Sequence, residues 1–218
     1  MEEADVSEGA EPRAGREGSG AARCGRDSLP VLLCLLAPEP SAAAPAVRAG
    51  ALAELALRGL LTDDAGIATP ADPDARCDDP VLDGLLELVA ESVPRTWGAW
   101  VHSRARRTLD PVCARLAASG ELAAHHRRVL GVFPAVSYAA ADGERAVRLR
   151  VRIAEVLGGA GPLGELPAGE ALLAVLAEAA GAAPGTGVER RAALTARAES
   201  TALPPGVLHR LCTALSAA

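Results

Sequence analysis

The chain has 218 residues, half of them hydrophobic and 23% charged, which is enough apolar side chain for a buried core and too much for an intrinsically disordered chain. Its 22 basic and 28 acidic residues leave a net charge of -6, the wrong sign for a broad nucleic-acid surface, and Trp97, Trp100, Phe133 and Tyr138 are too few aromatics for a base-stacking platform. Every basic residue is Arg, so Walker-type phosphate loops, Schiff-base catalysis and kinase-type Lys-Glu pairs are excluded.

Residues 1–28 mix Glu, Gly, Arg and Ser with hardly any large apolar side chain, and read as a dispensable disordered tail ahead of a folded region over 29–218. Leu29 to Leu36 is a compact apolar run stopped by Ala37-Pro38-Glu39-Pro40, and at this length it cannot span a membrane. From Ala44 to Leu61 the spacing of Val47, Leu52, Leu55, Leu57 and Leu60 predicts a helix with a buried face. Residues 62–80 read as a polar loop or short hairpin, and Asp79-Pro80 supplies an N-cap and first-turn proline for a helix through Glu91. A second such start is read at Asp110-Pro111, with a Ser119-Gly120 stop and Arg104, Arg106 and Arg107 just ahead of it.

Between Leu122 and Ala141 two short extended runs, Val129–Phe133 and Ala135–Tyr138, flank Pro134 and predict a β-hairpin. Val147 to Ile153 alternates strictly and would suit a strand. In a wider window Ala146, Leu149, Ile153, Val156 and Leu157 share one helical face opposite Arg145, Arg148 and Arg152, which favours a helix. Gly158 to Pro167 is a loop, Glu170 to Ala180 a central helix apolar on nearly all sides, and helices near 187–199 and 205–216 complete a mainly α chain.

Most constellations that carry chemistry fail on spacing. Gly159 to Gly164 fits G-x-G-x-x-G but lacks a preceding strand and contains Pro162, so it reads as a linker. The acidic stretch from Asp72 to Asp83 has Cys77 where a calcium loop needs Gly, and His125-His126 diverge too far on a helix to share a metal. Cys24, Cys34, Cys77, Cys113 and Cys212 are odd in number with no C-x-x-C, so neither a disulfide framework nor a zinc knuckle is read, and a reducing cytoplasmic compartment is expected. No cofactor, metal site or enzyme activity is expected, and what remains is arginine grouping.

The string Gly50 to Gly59 (GALAELALRG), with Asp79 to Asp83 (DPVLD), Val112 to Leu122 (VCARLAASGEL) and Leu130 to Pro134 (LGVFP), resembles the Golgi phosphoprotein 3 family in order and spacing. The resemblance spans about residues 29–181 and suggests a bacterial-type member, in keeping with the Ala and Arg bias. It implies a compact helical fold with a projecting β-hairpin, and a peripheral membrane adaptor that binds phosphatidylinositol 4-phosphate or another anionic membrane lipid, with protein clients and no nucleic acid. Eukaryotic relatives act on the cytosolic face of the Golgi. The family's headgroup positions fall on Arg48 and Arg106, with Arg107 near the second basic position, which itself is Leu109; the family's Trp position falls near Glu39. A soluble helical scaffold that binds a protein partner without lipid is the alternative. The aromatic and branched residues of the hairpin, Val132, Phe133 and Tyr138, are candidates for homo-oligomer formation.

Overall fold

The computed structural model describes residues 27–129, 133–140 and 143–217; the proposed tail, apart from Asp27 and Ser28, and Val132 lie outside them. Helix α1 (Leu29–Leu36) is buried on nearly every side and packs against α2 (Ala44–Leu57), as an all-round apolar sequence requires. The two helices touch closely at Gly50, where a Cβ would stand 2.6 Å from the Leu33 side chain. Ser28 offers no side-chain cap to α1. The buried Glu54 carboxylate of α2 accepts the Leu29 N–H at 3.2 Å instead, and it also receives the Arg58 guanidinium at 2.9 and 3.1 Å.

Strands β1 (Leu61–Asp64) and β2 (Ile67–Pro70) form an antiparallel hairpin, so the hairpin alternative for the polar stretch is the one realised. Ala65 and Gly66 both have positive φ, the geometry of a tight two-residue hairpin turn. A third strand, β3 (Arg95–Thr96), pairs with β2 and leads into α4 (Trp97–His102), which the sequence reading had not separated. Trp97 and Trp100 are fully buried there, and the Trp97 indole N–H donates to Asp63 at 2.6 Å.

Helix α3 (Pro80–Ala90) starts where Asp79-Pro80 placed it, with the Asp79 carboxylate accepting the Val81 N–H. The start read at Asp110-Pro111 is corrected: α5 runs from Arg106 to Ala118 with Pro111 inside it. The turn before α5 is set by Arg104, whose φ is +50°, and by the Arg104 carbonyl, which accepts the Arg107 N–H at 2.9 Å. Pro111, the sixth residue of α5, leaves the Arg107 carbonyl without its helical donor.

Strands β4 (Leu122–Val129) and β5 (Phe133–Ala140) make the second hairpin, in register from Leu122 opposite Ala140 to Val129 opposite Phe133. They are longer than the two runs read from sequence. Pro134 lies within β5, opposite Arg128, rather than between the strands, which an isolated two-stranded ribbon permits because each strand has a free edge. Leu122 anchors the base in the core, while Ala124, His125 and Val136 are exposed further out.

Helix α6 (Glu144–Gly158) settles the alternation of Val147 to Ile153 as helical, burying Ala146, Ile153, Val156 and Leu157. Helices α7 (Ala168–Ala179), α8 (Val188–Glu199) and α9 (Val207–Ser216) follow, with Ala171 to Ala177 of α7 continuously buried. The described core divides into a larger cluster around α2, α4, α7 and α9, and a smaller one of Val31, Cys34, Val47, Leu109, Val112 and Leu116 between α1, α2 and α5.

Candidate functional site

Arg48 is the fifth residue of α2 and is completely buried, an unusual place for a guanidinium. Its Nη2 donates to the Arg104 carbonyl at 2.7 Å, while Nε and Nη1 have no hydrogen-bond partner. No carboxylate among the described residues pairs with it. Burial, and then the neighbouring charge of Arg107, push its pKa down to about 10, so it stays charged at neutral pH.

Arg48 forms the floor of a cleft of about 340 Å³ between α3 and α5. Val81, Leu85 and Leu88 give one wall an apolar lining, Gly84 leaves that wall open, and Arg107, Asp110 and Pro111 form the other. The first turn of α5 carries Arg106 and Arg107, no acid and no side-chain cap. Cations at the positive end of a helix are each unfavourable by roughly 0.3–1 kcal/mol, a penalty that a bound anion would relieve. Arg104, Arg106 and Arg107 are all exposed, and none forms an ion pair among the described residues. The nearby Arg115 differs, because its guanidinium is held on the Asp79 carboxylate at 3.0 and 3.1 Å.

The structure therefore brings Arg48 and Arg107 to one cleft and leaves Arg106 on the open surface outside its lining. Adjacent residues on a helix diverge by about 100°, so only one of Arg106 and Arg107 can face α3. Leu109 is 2% exposed and belongs to the core, and Glu39 lines a separate depression of about 250 Å³ with Pro38, Pro45 and Leu215. Sequence reasoning missed the role of the Arg104 carbonyl and the placement of Asp110 in the cleft. No sequence signal reports a left-handed Arg or a carbonyl aimed at a helix 56 residues away.

The other sequence features resolve into structural parts. Gly159 ends α6 in a left-handed C-cap, so the glycine-rich stretch follows a helix rather than a strand. Asp83 accepts the Cys77 N–H and Asp79 caps α3, giving two of the clustered acids local hydrogen-bonding roles. Tyr138 packs half-buried against the smaller core cluster; the Phe133 side chain is outside the described residues, as Val132 is.

Among the described residues no helix is long and apolar enough to cross a membrane, and no group of His, Cys, Asp and Glu could hold a metal ion. The family model for Golgi phosphoprotein 3 (GPP34) matches residues 32–210, a stretch that takes in Arg48, the α3–α5 cleft and the second hairpin. None of the curated proteins compared with the chain matches it.

Proposed function

Since the chain belongs to the Golgi phosphoprotein 3 family, we propose that it is a peripheral membrane adaptor that seats the phosphate of an anionic lipid headgroup in the α3–α5 cleft. The observation that carries this reading is Arg48, a buried cation with two unpartnered donor nitrogens and no paired acid among the described residues. A phosphate oxygen supplies both the charge and the acceptors that Arg48 lacks. Arg107 closes the clamp from the α5 side, and Asp110 beside it makes the cleft less tolerant of a highly charged headgroup. Arg106 and Arg104, outside the lining, contribute attraction to the membrane surface rather than contact with the phosphate, worth about 1 kcal/mol per residue.

Arg48 is fully buried, so the headgroup reaches it only as side chains lining the cleft move aside. With no aromatic at Glu39 to anchor in the bilayer, binding depends on charge and falls with salt over a screening length of ~8 Å at physiological ionic strength. Liposome co-sedimentation with phosphatidylinositol 4-phosphate, phosphatidic acid and phosphatidylserine tests the reading. Arg107→Ala is expected to weaken binding about tenfold, equivalent to ~1.4 kcal/mol, and Arg106→Ala less. Absence of wild-type binding at low salt, or equal binding by wild type and Arg107→Ala, rejects it in favour of a scaffold in which Arg48 only braces the α4–α5 turn.

Self-association through Val132, Phe133 and Tyr138 is a second proposal, supported by the exposure of Val136 on the same hairpin. Tyr138 already packs on its own core, so Val132 and Phe133 would carry the contact. Replacing both with Ser should convert a concentration-dependent oligomer to monomer by light scattering; a wild-type chain that is monomeric at high concentration removes the proposal.

A further inference from the structure

Cys34 on α1 and Cys113 on α5 face one another across the smaller core cluster with their sulfurs 3.8 Å apart. They are 79 residues apart in sequence, and both are essentially buried, at 0% and 1% exposure. Their surroundings are apolar, with Val31, Leu35, Val47, Val112 and Leu116 around them. We propose that Cys34 and Cys113 are an oxidisable dithiol that closes into a disulfide under peroxide and staples α1 to α5.

The geometry needs little adjustment. A disulfide requires its sulfurs about 2.05 Å apart, so closure asks for a movement of somewhat under 2 Å, which side-chain rotation and a slight helix shift can share. With Cys34 as donor, the hydrogen bond between the sulfurs raises the Cys34 pKa and lowers that of Cys113, whose burial works in the opposite direction. In that arrangement Cys113, the acceptor of the hydrogen bond, is the thiol that reacts first. Its thiolate attacks one oxygen of hydrogen peroxide, the O–O bond breaks, and a sulfenic acid forms while the departing hydroxide takes up the proton released by the Cys113 thiol and becomes water. The Cys34 sulfur then attacks the sulfenic sulfur, the S–O bond breaks, and the oxygen leaves as water with the Cys34 proton. Two thiols are oxidised and one peroxide is reduced to two waters.

Both sulfurs are buried, so oxidation follows transient opening of the α1–α5 seam, and hydrogen peroxide needs a smaller opening than bulkier disulfide oxidants do. The consequence lies along α5: Cys113 is six residues from Arg107, about 9 Å along the helix axis, so the staple fixes α5, and with it the arginine wall of the cleft, against α1.

The test uses the folded full-length chain, reduced and then exposed to graded hydrogen peroxide at neutral pH. Intact mass should fall by two hydrogens, a non-reducing peptide map should join the Cys34 and Cys113 peptides, and the unfolding temperature should rise and return on addition of dithiothreitol. A variant with Cys24, Cys77 and Cys212 replaced by Ser, which keeps only this pair, should behave identically; if it does not fold, the wild-type peptide map decides alone. The proposal is overturned if both thiols survive peroxide in the folded chain, if Cys113 proceeds to sulfinic acid without a cross-link, or if Cys34 is found joined to another cysteine.

Discussion

Arg48→Met is expected to melt at a higher temperature than the wild type and to bind anionic liposomes at least tenfold more weakly. The stability half of this expectation comes from counting hydrogen bonds around a buried charge. Arg48 gains one, to the Arg104 carbonyl, and leaves Nε and Nη1 unpartnered. A hydrogen bond from a charged donor contributes about 1.5–3 kcal/mol, whereas each buried unsatisfied group costs about 1–3 kcal/mol, before any desolvation of the charge itself. Replacing buried ionic groups with apolar ones of similar volume has stabilised other proteins by about 1–4 kcal/mol. For a chain of this size each kcal/mol moves the melting temperature by about 2–4 °C.

The binding half comes from what Met cannot supply, because a thioether offers no donor to a phosphate oxygen. A residue that weakens the fold and is nonetheless present is understandable where a ligand completes it, and strain of this kind concentrates at functional sites. Thermal melts and liposome co-sedimentation run on the same preparations separate the possibilities. A variant that is less stable and binds as the wild type would make Arg48 a brace for the α4–α5 turn and nothing more. A second arm with inorganic phosphate should raise the melting temperature of the wild type and leave that of Arg48→Met unmoved.

The parts of the fold that were readable are those governed by local chemistry. Asp79-Pro80 marks a helix start through a cap and a fixed φ, both properties of two adjacent residues. The alternation of Val147 to Ile153 is ambiguous alone, but in a wider window Ala146, Leu149, Ile153, Val156 and Leu157 share one helical face, and α6 buries all of these except Leu149. Asp110-Pro111 has the same composition as Asp79-Pro80 and misled, since α5 begins earlier, where Arg104 adopts a left-handed conformation and a side chain from α2 holds its carbonyl. That is a tertiary determinant with no local signature.

The site divides along the same line. Arg48 was reachable through the family pattern around Gly50, but its full burial and its unpartnered nitrogens were not. Arg106 and Arg107 could not be ranked by sequence because their difference is a rotation about the helix axis, and the cleft admits only Arg107. The facing of Cys34 and Cys113 was likewise invisible, since spacing rules detect short motifs and these residues meet only through the packing of α1 on α5.

Asp79→Ala is expected to be the most destabilising change near the cleft that leaves Arg48 and Arg107 untouched. The Asp79 side chain is nearly buried and serves two partners, accepting the Val81 N–H as cap of α3 and both terminal nitrogens of Arg115 from α5. Loss of the cap costs about 1 kcal/mol. Loss of the ion pair adds less than a fully buried pair would, because Arg115 is 30% exposed and regains water, so a total of roughly 2–3 kcal/mol follows. Asp79→Asn keeps the cap and loses only the charge, and should fall between the two. The pH dependence separates cap from charge: burial pushes the Asp79 carboxyl up, but hydrogen bonds from Arg115 and Val81 outweigh it and hold the group below its ordinary value. The folded chain therefore binds fewer protons there than the unfolded chain, so this stabilisation is complete above the unfolded pKa of about 3.9 and is lost as pH falls through the lower folded value. Urea unfolding should show the gap between wild type and Asp79→Asn constant from pH 7 to about 5 and narrowing below about 4. The absence of a gap between wild type and Asp79→Asn at pH 7 would mean that Asp79 acts as a cap alone, and that the α3–α5 wall of the cleft is held by packing rather than by charge.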